Sequence, residues 1–285
     1  MTTELEIPTS LPVDHLSVSS VNLFMRCPEK WKRRYIDQEY EGPVSSNMIL
    51  GSAVGAAEGH ADQQVIDDGY RPSVDQVVAL FADEFEDRTG REEIDWGERK
   101  PGEVKDTGVG AGNAYEKDIA PTFEPVSVER RFTLQLEGVE WGFIGYFDVE
   151  DADGRVRDRK VRGRKLASAE ADTDIQPTGF LLARRAEGNR ASGFVFDTMV
   201  KTKTPYAEPV PTDRTDAQLD AFTHRLYGIA AEIHWRLEND VWARFRRLPV
   251  VLCYRAVAAV NLTSSPNRDL HIYRADTVVE RDLHW

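Results

Sequence analysis

Residues 145–165 read GYFDVEDADGRVRDRKVRGRK. Asp148 lies inside an apolar run, Asp158 and Lys160 form an Asp-x-Lys triplet, and seven basic side chains fall between positions 155 and 165. Ala152-Asp153-Gly154 suits a three-residue hairpin loop with glycine in the left-handed position. Counting back from that loop sets Asp148 opposite Asp158 and puts Lys160 on the same face. Facing carboxylates repel at neutral pH and need a proton or a cation between them. A hard divalent cation, Mg²⁺ or Mn²⁺, would take one oxygen from each aspartate, the main-chain carbonyl of Arg159, and water. It would act as a Lewis acid on a phosphodiester. Lys160 would position or help deprotonate the attacking water, and stabilise developing negative charge. Arg155, Arg157, Arg162 and Arg164 would grip phosphates on either side. A solvated hairpin whose charges merely pair across the strands has the same residue types at the same spacings, so this segment alone leaves both readings open.

The surrounding pattern supplies elements to hold these groups. Ser19 or Ser20 suits the cap of a short helix ending at Arg26, and Pro28 suits the first position of the next. Helices are expected over about 48–67 and 73–88, with 89–113 read as a loop insertion because of its glycines and charges. Strands follow in VSVERRFTLQLEG, WGFIGYFDVED and RVRDRKVRG. Thr173 or Asp174 would cap a helix that Gly188 ends. GFVFDTMVKTK reads as a strand, 205–212 as a loop, and Leu219, Phe222, Leu226, Ile229, Ile233 and Leu237 mark a long amphipathic helix. The order predicts a single α/β domain with a mixed central sheet flanked by helices. Residues 1–15 are expected as a flexible leader, 16–262 as the domain and 263–285 as a tail.

The chain has 285 residues, 41% of them apolar and 30% charged, with a formal net charge of −13. That balance is ordinary for a globular protein and argues against non-specific nucleic-acid binding by bulk charge, though not against a basic groove. The acidic N-terminus has no apolar core of a signal peptide, and the most apolar stretch is too short to span a bilayer. Two cysteines, Cys27 and Cys253, make neither a disulfide framework nor a four-cysteine metal site. A cytoplasmic protein without membrane contact is expected.

Five segments together resemble the PD-(D/E)XK nuclease superfamily, in its RecB-like and CRISPR-associated exonuclease branch. They are LSVSSVNLFMRCPEKWKRRYI, LGSAVGAAEGH, GFIGYFDVEDADGRVRDRK, DIQPTGFLLAR and FVFDTMVKTKTP, in the family's order over roughly residues 16–260. The resemblance implies a restriction-endonuclease-like core and metal-dependent DNA hydrolysis. It implies Asp148 and Asp158 as metal ligands, Lys160 as the catalytic lysine, and Gln176 as a residue that orients the site or touches DNA. It also places Ser19 and Arg26 on a helix framing the DNA channel. The expected enzyme is an exonuclease on DNA ends or single strands in phage or bacterial recombination, repair or DNA processing, with a recombination or helicase partner. No nucleotide-binding motif suggests a fused motor.

Three departures qualify the likeness. The histidine usual four residues after the first-motif glycine is replaced by Gly55. Glu58 lies about 60° from that helical position and is a better stand-in ligand than His60, about 140° away, while the plainer reading makes Glu58 a helix-surface charge and His60 a solvated residue. Phe180 stands where tyrosine is usual and reads as core. The iron–sulfur cluster of many relatives needs four cysteines, so none is expected here. A degenerate fold that binds DNA or protein without cutting is the competing reading, and Gly55 favours it.

Overall fold

The computed structural model describes residues 7–39, 42–189 and 191–242. In chain order the elements are β1 (His15–Ser17), α1 (Val18–Arg26), α2 (Pro28–Tyr35), β2 (Val44–Ser45), α3 (Ser46–Asp68), α4 (Val74–Arg91), β3 (Ile94–Asp95) and α5 (Pro101–Asp118). Then come β4 (Pro125–Gln135), β5 (Gly142–Asp151), β6 (Arg155–Arg162), α6 (Ser168–Thr173), α7 (Ile175–Ala186), β7 (Gly193–Val200), β8 (Tyr206–Thr212) and α8 (Asp216–Asn239). The described residues belong to one compact unit.

The central sheet is mixed. β5 pairs with β4 along one edge, antiparallel over nearly its whole length. Its other edge is shared between β1, parallel to Gly142–Ile144, and β6, antiparallel at Val149 and Glu150. β6 then runs parallel to β7 over eight residues, and β8 closes the sheet antiparallel to β7. The hairpin expected at 152–154 forms with Gly154 at φ +77°. Its register, Val149 against Arg157, is the one counted from the sequence.

A phenylalanine-rich core lies on one face of the sheet. Phe132, Phe143 and Phe147 of β4 and β5 meet Phe180 of α7, Phe194 and Phe196 of β7, and Phe222 of α8. These rings stack edge-on or tilted with centroids 4.7–6.2 Å apart; in that range aromatic pairs add stability beyond area burial. The glycine of the Gly-x-x-Asp strand, Gly145, is demanded by this packing, because a Cβ there would lie 2.6 Å from the Phe132 ring and 3.2 Å from Phe180. Phe180 is therefore core, as expected. The second core packs α3, α4 and α5 together through Leu50, Val54, Phe81, Phe85 and Tyr115 and joins them to Met199 of β7.

Three expectations are corrected. Residues 89–113 are not a loop insertion: they hold the end of α4, β3, and most of α5. The glycines that suggested a loop permit close packing instead, since a Cβ on Gly108 would sit 2.0 Å from the Phe81 ring. Of residues 205–212, expected as a loop, 206–212 form β8 despite Pro209 and Pro211. These prolines alternate on an edge strand, where a missing N–H interrupts no ladder on the outer side. Within the expected leader, residues 7–15 are tied down: Thr9 and Asp14 carbonyls accept from Glu140 and Gly142, and the Pro8 carbonyl accepts from the Trp141 indole. Residues 1–6, the expected domain end at 243–262 and the tail at 263–285 lie outside the described residues.

Candidate active site

β5 and β6 pair for only two residues on each strand and then part, so Asp148 and Asp158 stand at the opening of a fork. Two observations explain why the ladder ends there. Asp148 accepts the main-chain N–H of Arg159 at 3.0 Å, so a carboxylate takes the place of a strand partner. The pleat also breaks at this level. Phe147 faces α7 through Phe180, while Val149, two residues on, pairs with Val128, which lies beneath Gly59 of α3. Residues two apart on a regular strand share a face, and these do not. Continuing the β4–β5 register puts Glu129 beside Asp148, and Glu129 holds φ +48° in the middle of a strand. A left-handed residue of this kind is uncommon outside glycine and marks either a turn or a functional constraint.

The electrostatics of the fork are those of crowded negative charge. Asp158 is 2% exposed. Burial first, and then the neighbouring Asp148, push its carboxyl up to about 7, although Lys160 and Gln176 pull the other way. Glu129 is likewise raised, by burial and then by Asp148. Lys160 Nζ lies 2.6 Å from Asp158 Oδ2. Burial would lower the ammonium's pKa, but Asp158 and then Asp148 outweigh it and hold Lys160 protonated. Gln176 comes from the first turn of α7, whose cap is Asp174, and its amide donates to Asp158 Oδ1. The four residues Asp148, Asp158, Lys160 and Gln176 are thus brought together from three elements.

A divalent cation fits this donor set. Hard carboxylate oxygens face each other, and one of them is buried at a cost that a nearby positive charge would offset. Among the described residues no three histidine, cysteine or carboxylate side chains are grouped so as to hold a metal ion. Two aspartates would therefore be completed by main-chain oxygen and water.

The other expected site residues divide. Glu58 is not gathered with Asp148 and Asp158. It is 1% exposed beside Arg71 at 2.9 Å and Glu116, inside a buried network that also holds Asp62, Tyr115 and the Arg159 side chain. Its carboxyl is raised well above the usual range, first by burial and then by Glu116, which makes it a buried structural group in place of a stand-in ligand. Arg157 is not available to DNA either. It is 3% exposed, bonded to Asp197 at 2.7 and 2.9 Å and to Asp151 at 3.2 Å, and lies over the Phe123 ring. Odd-numbered residues of β6 face α3 and α5, so Arg157 and Arg159 neutralise buried carboxylates there.

Arg155 is exposed and pairs loosely with Asp153, while Arg162 and Arg164 share Glu170. Helix α1 is capped by Ser17, not by Ser19 or Ser20. Ser20 instead accepts the buried Trp31 indole at 2.8 Å. Ser19 and Arg26 remain exposed, seven residues apart and so on one face of α1. Cys27 opens α2 as a free thiol, and Cys253 lies outside the described residues.

In the sequence Glu129 is marked only as a charged residue preceding two arginines in a strand that otherwise alternates.

Residues 15–244 match the model of the PD-(D/E)XK nuclease superfamily. The chain belongs to that superfamily. The fold of this PD-(D/E)XK protein also resembles the crystal structure of a protein from Eubacterium rectale provisionally named an exonuclease. The TM-score is 0.55 at 14% identity, over 90% of this chain and 91% of the other. No curated protein matches. Membership places the chain among nucleases, whose customary cofactors are divalent metal ions. No described helix is long and apolar enough to cross a membrane.

Proposed function

We propose that this protein is a metal-dependent deoxyribonuclease of the RecB-like branch, acting as an exonuclease on DNA ends or single strands in phage or bacterial DNA processing. The observation that carries the reading is the meeting of Asp148, Asp158, Lys160 and Gln176 at the β5–β6 fork. Asp148 and Asp158 would hold Mg²⁺ or Mn²⁺ together with the Arg159 carbonyl and water; when bound, the ion supplies Lewis acidity and an acidified water. The main-chain N–H of Arg159 fixes the Asp148 carboxylate, and the Gln176 amide fixes Asp158. Lys160, held as an ammonium, orients the attacking water and stabilises charge that develops on the phosphate oxygens. Arg155, Arg162, Arg164, Ser19 and Arg26 are the exposed or half-exposed groups proposed to steady the strand.

One observation favours the alternative, a fold that binds DNA or a partner without cutting it. Gly55 puts no side chain where the branch usually has histidine, and nothing beyond its own stretch of helix lies within 4 Å of where its Cβ would be. Degradation of end-labelled single- and double-stranded DNA in Mg²⁺, Mn²⁺ or chelator separates the two. The nuclease reading expects metal-dependent cutting that disappears in Lys160→Ala while DNA binding persists. Binding without cutting in any metal would instead establish the alternative.

A further inference from the structure

In a chain of net charge −13, the basic side chains around β6 are neutralised by carboxylates: Arg155 by Asp153, Arg157 by Asp197 and Asp151, Arg162 and Arg164 by Glu170, and Lys165 by Glu208. Lys201 and Arg99 differ. Among the described residues neither has a carboxylate within ion-pair distance, and both converge on one neutral oxygen. Lys201 Nζ lies 2.6 Å and Arg99 Nη2 2.9 Å from Asn47 Oδ1, and the same Arg99 nitrogen also lies 2.9 Å from Ser46 Oγ.

The fold builds this convergence from distant segments. The β2–β3 ladder brings the chain before Arg99 against the residues that open α3. Lys201 is held from the other side, where its main-chain N–H donates to the Arg162 carbonyl at 2.8 Å. Burial, and then Arg99, lower the Lys201 pKa, the mark of a cation placed against a cation. An amide oxygen accepts two hydrogen bonds but cancels no charge, so among the described residues the cluster lacks a counter-ion.

We infer that Lys201 and Arg99 form a phosphate subsite for the DNA backbone, separate from the fork. The inference rests on the nuclease-fold reading in that it takes the anion to be DNA. Its position suits that role. β7 runs parallel to β6 with Thr198 beside Lys160, and Lys201 follows three residues later. At about 3.3 Å per residue Lys201 lies roughly 10 Å along the sheet from Thr198, and the three-residue offset sends its side chain to the α3 face, where it meets Asn47. The subsite would engage a phosphate away from the scissile one, where the strand approaches the fork.

The test measures DNA binding in chelator, so that it does not depend on cleavage. Anisotropy of a labelled single strand is followed against salt for the native protein, Lys201→Ala, Arg99→Ala, the double variant and the charge-preserving Lys201→Arg. Thermal unfolding of each identifies any variant that fails to fold. The native protein and Lys201→Arg should share one slope of log affinity against log salt. The alanine variants should bind several-fold more weakly, with the slope reduced by about 1. The double variant should lose little more than one phosphate's worth, because both cations serve one anion. A neutral methylphosphonate placed at the corresponding position should weaken native binding and leave the double variant unaffected.

Unchanged affinity and slope in a folded double variant would overturn the inference. So would stabilisation by inorganic phosphate that is lost in the double variant while DNA binding is unaltered, since the site would then serve a small anion. Should the protein bind DNA through this cluster and cut nothing, the subsite stands and the catalytic proposal falls.

Discussion

Asp158→Asn isolates the energetic cost of the proposed active site. The folded protein raises the Asp158 carboxyl from 3.8 to about 7, chiefly through burial. Because the folded pKa lies above the unfolded one, the group's stabilising contribution is full below about pH 4 and is lost as pH rises toward 7. At about 1.4 kcal/mol per pH unit, the metal-free protein gives up roughly 4 kcal/mol by neutral pH. The amide has the same shape but cannot ionise. The stability difference between variant and native protein should therefore shift in the variant's favour by about 2 kcal/mol between pH 5.5 and pH 8. Comparing the two proteins cancels the titrating groups that Asp158 does not influence, and the attraction of Lys160 is already contained in the raised Asp158 carboxyl. The assay is urea denaturation in chelator at both pH values, repeated at pH 8 with Mg²⁺ or Mn²⁺. Added metal should stabilise the native protein more than the variant, and the variant should not cleave DNA. A difference that stays flat with pH in chelator would refute the reasoning, because the carboxylate would then not be buried against Asp148 as described.

Other substitutions probe the framework. Gly108→Ala drives a methyl into the Phe81 ring and should cost about 1–3 kcal/mol; Gly55→Ala meets open space and should stabilise by about 0.5–1 kcal/mol, both read by chemical denaturation. Arg157→Ala leaves Asp197 and Asp151 buried without their cation and should lower stability by about 3–5 kcal/mol. Arg164→Ala, exposed and sharing Glu170, should stay within about 0.5 kcal/mol; equal effects from these two arginines in urea melts would contradict the assignment of Arg157 to the interior. In Gln176→Ala the Asp158 oxygen loses its donor, so turnover should fall more than DNA affinity does, a split that steady-state kinetics beside anisotropy would detect.

Local chemistry was legible in the sequence wherever a few adjacent residues decide the outcome. Gly154 can take φ +77°, so the hairpin loop and with it the register of Asp148 and Asp158 could be counted directly. Asp174, Pro177 and Gly188 bounded α7, and the apolar spacing from Leu219 to Leu237 marked α8. The order of the motifs carried the family. What failed depended on neighbours remote in the chain. Glycine-rich 101–118 is a helix because Phe81 needs the space beside Gly108, and β8 tolerates its prolines because it lies at a sheet edge.

The same division runs through the site. The sequence by itself determined which residues are proposed to carry the chemistry and how the Asp-x-Lys strand turns back on its neighbour, since both follow from types and spacing within about twenty positions. Only the tertiary structure decided where each charge goes. Arg157 and Arg162 have the same side chain five residues apart, yet one is locked between Asp151 and Asp197 while the other meets Glu170 at the surface. Glu58 belongs to Arg71 and Glu116 and not to the fork, and Lys201 finds Arg99 across more than a hundred residues. Charge acts through space and is scaled by burial, and neither distance nor burial is set until the helices close over the sheet.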